Sequence, residues 1–512
     1  VTSMSDRSVV LYQPRYEPPG GQMKAIAPLA LLYLAGALEP HGYQVEIIDA
    51  QIEADPLGRL RSAASGALAL GITAMSGYQL KGALAAAEAM RAAQPALPII
   101  WGGWHPSLLP EQTAADPLVD VVVRGPGEDT LRELLDRITA GQEWTGVQGI
   151  TYRRKDQIVS EPDWPLSGLD PLRRLPFEKL RMDQYGGRMN CGEDWGANFS
   201  WVSGPPFPYT SSCGCPYQCR FCAATKVYKR KWSALPVEKT LDELEELHRR
   251  YGIQVIYFID PEFFINARRA VGIMEGIVAR GLRLFWKAQV RPEHIVRLGL
   301  EHMRLAHRSG CRQLEIGAES GSPEILEMIR KESPPEAALE AAAILRQVGI
   351  TAQFNLMFGF PRENGRHIRE TVRFAAQLKR INPDCLLPMY YFAPHPGIPL
   401  EQEAREYGYR PPESLREWAE HTTTYSEPVM PWISRPRQLK DRILRAITFY
   451  LPLAYPGDVT RGTLRHVRAR MRRWPEALWL WPAHVLARLR VKLDFYDWPW
   501  EWRLFQRLAG AA

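Results

Sequence analysis

Through the first 150 residues, short apolar runs alternate with longer helix-like segments. "SVVLYQP", "YQVEIIDA", "ALALGITAM", "LPIIWGG" and "VDVVVRG" read as strands buried in a parallel sheet. Between them, "IAPLALLYLAGALEPHG" and "YQLKGALAAAEAMRAAQP" suit helices that close at Gly or Pro. This order predicts a doubly wound α/β domain over residues 1–150, its ligand beyond the carboxyl ends of the strands. Residues 151–205 are rich in Pro, Gly and Trp and read as an inter-domain connection. From 206 to 400 a second alternation follows, with candidate strands "PYTSS", "QVIYFI", "LFWKAQV", "RQLEIGA", "AQFNLMF" and "LLPMYYF". Six βα units predict a partial (βα)6 barrel whose chemistry gathers at the strand C-terminal ends. Residues 401–512 turn helical, and increasingly basic and aromatic.

At 512 residues the chain exceeds one ordinary core, so several domains are expected. The longest apolar run, "LWLWPAHVLA", is too short to cross a bilayer and is interrupted by Pro482. The opening residues lack the basic region, apolar stretch and cleavage site of a signal peptide. Three of the seven cysteines (Cys191, Cys311, Cys385) stand alone, which is not a disulfide framework, so a reducing cytoplasm is expected. The net charge of +7 belongs to the tail. From Arg435 onward 16 Lys and Arg face 6 Asp and Glu, an excess of 10, which leaves about −3 for the first 434 residues.

The other four cysteines crowd into "TSSCGCPYQCRFCAA" as Cys213, Cys215, Cys219 and Cys222, directly after the first barrel strand. Structural zinc usually takes two Cys pairs separated by a longer stretch, and here all four thiols share one loop. A disulfide is disfavoured by the compartment. Thiolates held in a single loop suit an iron–sulfur cluster. "CPYQCRFC" is CxxxCxxC with an aromatic before its last cysteine, and it resembles the signature of the radical S-adenosylmethionine (SAM) family. The resemblance implies a [4Fe–4S] cluster on Cys215, Cys219 and Cys222, with one iron left open for SAM. Cys213 falls outside the motif. In an extended strand it would share a side with Cys215, and it is read as a packed bystander.

The resemblance extends along the barrel. "YFIDPEF" offers Asp260 and Glu262 for the SAM amino group, and "EIGAESGS" offers Glu319 and Ser320. "MFGFPREN", with Gly359 and Pro361, resembles the turn that supports the adenine, and Phe221 belongs to the motif itself. "YYFAPHPGIPL" resembles the closing strand of the cobalamin-associated branch. The N-terminal domain then resembles a Rossmann-like cobalamin-binding domain, ahead of a partial TIM barrel. "TAM" at 73–75, followed after 26 residues by "GGWHP", resembles that domain's SxL…GG pattern. Thr73, Ser76, Gly102, Gly103, His105 and Pro106 are the cobalamin candidates it implies. "VVVRGPGEDTL" adds Gly125, Gly127 and Glu128, although Pro126 departs from the usual GEGE. Where an axial histidine motif would fall the sequence reads "IAPLAL", so cobalamin is expected without that ligand. His105 is the candidate replacement, weighed against an ordinary hydrogen-bonding role in its turn.

The resemblance implies hydrogen abstraction from an unactivated carbon of a small-molecule or lipid-like substrate, followed by methyl transfer from cobalamin. The same assembly also serves ring closure or rearrangement, as in anaerobic Mg-protoporphyrin ester cyclase. A non-catalytic cobalamin sensor would not need a SAM-open cluster. Methylthio transfer is disfavoured, because residues 1–190 hold no cysteine. An external electron donor of the flavodoxin or ferredoxin type is implied. Tyr390, Tyr391 and His395 are the catalytic candidates near the last strand. For the tail, with "RHVRARMRRW" and Trp474, Trp479, Trp481, Trp498, Trp500 and Trp502, a helical cap is the first reading. Peripheral contact with the inner face of the membrane is the second, and nucleic acid is not expected.

Overall fold

β1 (Ser8–Gln13), β2 (Gln44–Asp49), β3 (Ala69–Thr73), β4 (Ile99–Gly102) and β5 (Val121–Val123) form a parallel sheet in spatial order 2-1-3-4-5. The computed structural model describes residues 7–16, 25–165, 168–169, 173–186, 188–189, 202–203, 206–421, 430–457, 477–496 and 499–503. The unbroken apolar runs follow from cover on both faces. α1 (Leu29–Leu38) and α5 (Glu128–Thr139) bury Val9, Leu11, Val121 and Val123. α2 (Pro56–Ala64) and α3 (Tyr78–Ala93), with the short helix Leu415–Glu420, bury Val10, Tyr12, Trp101 and Val122. α4 (Trp104–Leu108) follows β4.

The sheet does not stop at residue 150. β6 (Ile150–Arg154) and β7 (Gln157–Ser160) extend it antiparallel, so the connection begins later than its composition suggested. This hairpin lies at the sheet edge, where exposed Arg153, Arg154 and Lys155 interrupt the apolar pattern.

The second sheet has six parallel strands in sequence order: β8 (Phe207–Tyr209), β11 (Val255–Phe258), β12 (Phe285–Val290), β13 (Cys311–Glu319), β14 (Thr351–Phe358) and β15 (Met389–Tyr391). β9 (Ser212–Gly214) and β10 (Trp232–Ala234) pair antiparallel and bracket the cysteine loop. α6 (Val237–Tyr251), α7 (Ala267–Ala279), α8 (Pro292–Arg308), α9 (Pro335–Val348) and α10 (Gly365–Ile381) contribute to the core on the outer face with Ile256, Phe258, Trp286, Ala288, Leu314, Ile316, Phe354 and Leu356. The inner face alternates with these and is polar: Tyr257, Lys287, Gln289, Gln313, Glu315, Gln353 and Asn355. A final helix, α11 (Ala477–Leu493), packs on Leu451–Ala454. No helix among the described residues is long and apolar enough to cross a membrane. Cys191, the basic run 465–474 with Trp474, and Trp498 lie outside the described residues.

Candidate active site

The cysteine loop begins where β9 ends. Gly214 adopts φ +75°, and a Cβ there would meet Lys231 O at 2.0 Å, so only glycine fits. This left-handed residue breaks the strand's alternation, and Cys213 does not share a side with Cys215 as expected. Cys213 faces the cleft between the two sheets, near Glu128 and Asp260, and burial pushes its thiol up to about 12. Cys215, Cys219 and Cys222 face one another instead. Burial raises the Cys215 thiol and pushes Cys222 up to about 11, and the neighbouring cysteines add to both shifts.

Each of the three sulfurs receives an N–H donor. Tyr217 N donates to Cys215 and Ala224 N to Cys222, while Arg291 Nη1 reaches Cys219 Sγ at 3.7 Å. Such donors stabilise cluster-bound thiolates and set a cluster's potential. Arg291 is itself held over the Tyr217 ring at 3.8 Å. Tyr217 OH donates to His294 Nε2 (2.7 Å), and His294 Nδ1 donates to Glu262 Oε2 (2.6 Å). All described cysteines are free thiols, and no group of three or more metal-binding side chains among the described residues converges on a single ion. Three mutually facing thiols in one loop suit a cluster held at three corners.

The side chains assigned to SAM by resemblance divide into two sets. Asp260 is fully buried. Its Oδ1 accepts from Ser211 N (2.7 Å), and its Oδ2 from Ser211 Oγ (2.7 Å) and Ser212 Oγ (2.6 Å). Glu262 accepts from His294 and from Phe264 N (3.1 Å). Both carboxylates thus anchor the cysteine loop and its supports through protein hydrogen bonds. Glu319, with φ +60°, is ion-paired to Lys331 at 3.0 Å, and Ser320 Oγ bonds Thr371 Oγ1 at 2.9 Å. Gly359 turns at φ +80°, its N–H donating to Glu363, whose carboxyl burial pushes up to about 8. Pro361 follows this turn, and Phe221 packs edge-on against Phe360 with ring centroids 6.3 Å apart. Of the catalytic candidates, Tyr390 is exposed on the last strand, Tyr391 is buried beside Phe358, and His395 is half-buried with its pKa lowered by burial.

A cavity of about 1360 Å³ joins the strand ends of the two sheets. That exceeds the usual small-ligand pocket of roughly 300–1,000 Å³ and leaves room for a bulky cofactor beside a second molecule. Its floor includes Thr73, Gly102, Gly103, Gly125, Gly127 and Glu128; its far wall includes Cys213, Tyr228, Tyr257, Ile259 and Lys287. A Cβ on Gly125 would enter open space, as in a cradle shaped for something else. Gly103 has φ +97°, and a Cβ there would strike Thr73 Oγ1 at 2.7 Å and Ala74 O at 2.9 Å. Glu128 is paired with Arg173 at 3.4 Å.

Ser76, His105 and Pro106 do not line this cavity. His105 is fully buried on the other side of its turn, edge-on to Trp418 at 5.7 Å, with Nδ1 bonded to Ser76 Oγ at 2.9 Å. The ring is packed into the core beside Trp418, and its Nε2 is buried without a protein partner. Burial lowers its pKa from 6.5 to about 4, so the fold accepts only the neutral ring near neutral pH. The unfolded chain takes up this proton below about pH 6.5, which favours unfolding as pH falls and levels off below about 4. Between pH 7 and 5 the loss from this group is expected to be about 2 kcal/mol. Denaturant midpoints at the two pH values, compared with His105→Gln, check it: the substituted chain should show a shallower acid decline.

Residues 25–135 match the B12 binding domain model, and residues 209–375 match the Radical SAM superfamily model. An uncharacterized methyltransferase of Pyrococcus horikoshii is 31% identical over 359 residues, 69% of this chain and 72% of that one. The chain belongs to the cobalamin-binding radical SAM family. The anaerobic magnesium-protoporphyrin IX monomethyl ester cyclase of Cereibacter sphaeroides is 26% identical over 424 residues, covering 78% of this chain and 64% of the cyclase. The structure of TsrM, a radical SAM methyltransferase from Kitasatospora setae with cobalamin and a [4Fe–4S] cluster bound, shares the fold at a TM-score of 0.62 and 22% identity over 78% of each chain. The protein is an enzyme, and its cofactors are a [4Fe–4S] cluster, SAM and cobalamin. The three-thiol loop and the glycine-lined cavity fit these groups.

The polar lumen of the second sheet was not foreseen. Lys287 Nζ pairs with Glu315 Oε1 (2.6 Å), Tyr257 OH donates to Glu315 Oε2 (2.8 Å), and Gln289 Nε2 donates to Tyr257 OH (2.6 Å). Its signal lay in the strands themselves. "WKAQV", "RQLEIG" and "AQFNL" place a polar residue at every second position, where a strand buried on both faces would be apolar.

Proposed function

We propose that this enzyme methylates an unactivated carbon of a small-molecule or lipid-like substrate. When bound, the cluster and SAM supply a hydrogen-abstracting 5′-deoxyadenosyl radical, and cobalamin supplies the methyl group. The observation that carries the reading is one continuous cavity, which opens to the glycine-rich strand ends of the first sheet and reaches Tyr257 and Lys287 on the polar face of the second. In this reading Gly102, Gly103 and Gly125 admit the corrin, and Cys215, Cys219 and Cys222 hold the cluster. Glu319, Ser320 and the Gly359–Pro361 turn are the proposed SAM contacts. Tyr257, Lys287 and Glu315 are mutually satisfied at the lumen wall and orient a hydrogen-bonding group of the substrate. Tyr390, exposed on the last strand near Glu315 and Glu319, is the leading catalytic candidate. The electron donor is of the flavodoxin or ferredoxin class.

Oxidative ring closure is the second reading, favoured by the similarity to the cyclase over 424 residues. The two differ in stoichiometry. Methyl transfer consumes a second SAM as donor, so S-adenosylhomocysteine accumulates in step with 5′-deoxyadenosine; cyclisation yields 5′-deoxyadenosine alone. The test is anaerobic reconstitution with iron, sulfide and hydroxocobalamin, followed by metal analysis and reductive turnover of methyl-labelled SAM with candidate substrates. About four irons and one cobalamin per chain, with label in the product, are expected. Zinc in place of iron, or iron without SAM cleavage, would overturn the reading.

A further inference from the structure

The large apolar side chains that remain exposed are not scattered. Among the described residues they are Met75, Trp104, Ile259, Val278, Tyr390, Tyr407, Leu489, Leu493, Phe495 and Trp500. Met75, Trp104 and Ile259 line the cavity. The last four fall within twelve consecutive positions and include the two most exposed of all, Leu493 at 70% and Trp500 at 60%. No part of the active site accounts for them.

Their presentation is built into the C-terminal fold. On α11, Ala487 and Val491 face inward toward Leu451–Ala454, where His484 Nδ1 donates to Leu453 O at 2.8 Å. Leu489 and Leu493 are each two residues further along, about 200° around the helix, and therefore face out. Pro482 is exposed on the same line. Past the helix, buried Arg490 pairs with Glu501 and donates through Nη1 to Phe495 O at 3.1 Å. This clasp fixes the turn that turns Phe495 and Trp500 outward.

Charge divides the same way. Among the described residues between 482 and 503, the exposed ionised ones are Arg488, Lys492 and Arg503. The described acids of that stretch, Asp494 and Glu501, are turned inward and paired with Arg373 and Arg490. An apolar ridge of Leu, Phe and Trp bordered, among the described residues, by exposed cations matches an anionic bilayer surface, with apolar groups at the acyl boundary and cations among the headgroups. A cap closing the barrel would have no need to sort its charges in this way. We propose that the outer face of α11 from Pro482 onward, together with Phe495 and Trp500, docks the enzyme on anionic membranes without crossing them.

The experiment is flotation of the full-length chain with vesicles of phosphatidylcholine alone or mixed with phosphatidylglycerol. The chain should float with the mixed vesicles, less so at high salt, and blue-shifted tryptophan emission should accompany binding. Replacing Leu489, Leu493 and Trp500 by Gln should weaken binding about tenfold or more with an unchanged melting temperature, because none of the three is in the core. Arg488→Gln, Lys492→Gln and Arg503→Gln together should weaken it roughly a hundredfold and abolish the preference for phosphatidylglycerol. Undiminished binding in both variants would assign the membrane contact to another segment and overturn the proposal. So would failure of the wild-type chain to float, or a concentration-dependent dimer that forms through this face and dissociates in the apolar variant.

Discussion

Alanine at Cys215, Cys219 or Cys222 is expected to leave the chain folded but unable to retain a four-iron cluster, with SAM cleavage at background. Alanine at Cys213 should retain both. The two outcomes follow from the same glycine. Because Gly214 is left-handed, β9 cannot carry its alternation into the loop, and the chain turns Cys213 toward the inter-sheet cavity while Cys215 joins Cys219 and Cys222. The three inner sulfurs each have an N–H donor already in place. Iron and sulfide content with 5′-deoxyadenosine release under dithionite measures both claims on the same preparations. Loss of iron in Cys213→Ala alone, with the melting temperature unchanged, would move the fourth thiol into the ligand set and close the site that SAM needs.

Much of this arrangement was legible because the relevant signals are local. Strands apolar on both faces gave the first sheet, βα spacing gave the six-stranded second one, and CxxxCxxC located its reactive end. What was not legible is what folds against a given residue. Nothing in "GGWHP" reports that Trp418, more than 300 positions away, packs against His105. Nothing in "YFIDPEF" reports that two serine hydroxyls converge on Asp260. The edge hairpin β6–β7 was hidden by its arginines. The polar lumen, by contrast, was written in the alternation of three strands. A barrel that holds a ligand has one face reserved for it, and polar residues at alternate positions mark that face.

Asp260→Ala is expected to destabilise the fold by about 3–5 kcal/mol, lowering the melting temperature and iron loading together before any question of SAM binding arises. The carboxylate accepts three hydrogen bonds from Ser211 and Ser212 at the root of the cysteine loop. On the opposite side Arg269 holds the same segment, through Nη2 to Ser211 O (2.8 Å) and Nε to Leu235 O (2.8 Å). Removing the carboxylate strands three buried donors and leaves the guanidinium without its counter-charge, and each loss is costly in a site closed to water. Asp260→Asn keeps one acceptor for Ser211 N and lets the serine hydroxyls rotate to accept, so it should fall between the wild type and alanine. The pair of variants separates two roles. A residue that met the SAM amino group would, as Asn, keep its melting temperature and its iron while SAM binding weakened. An anchor loses stability and iron first, and the SAM affinity of whatever loaded enzyme remains stays the same. Calorimetry, iron analysis and SAM titration of the reconstituted variants distinguish the two directly.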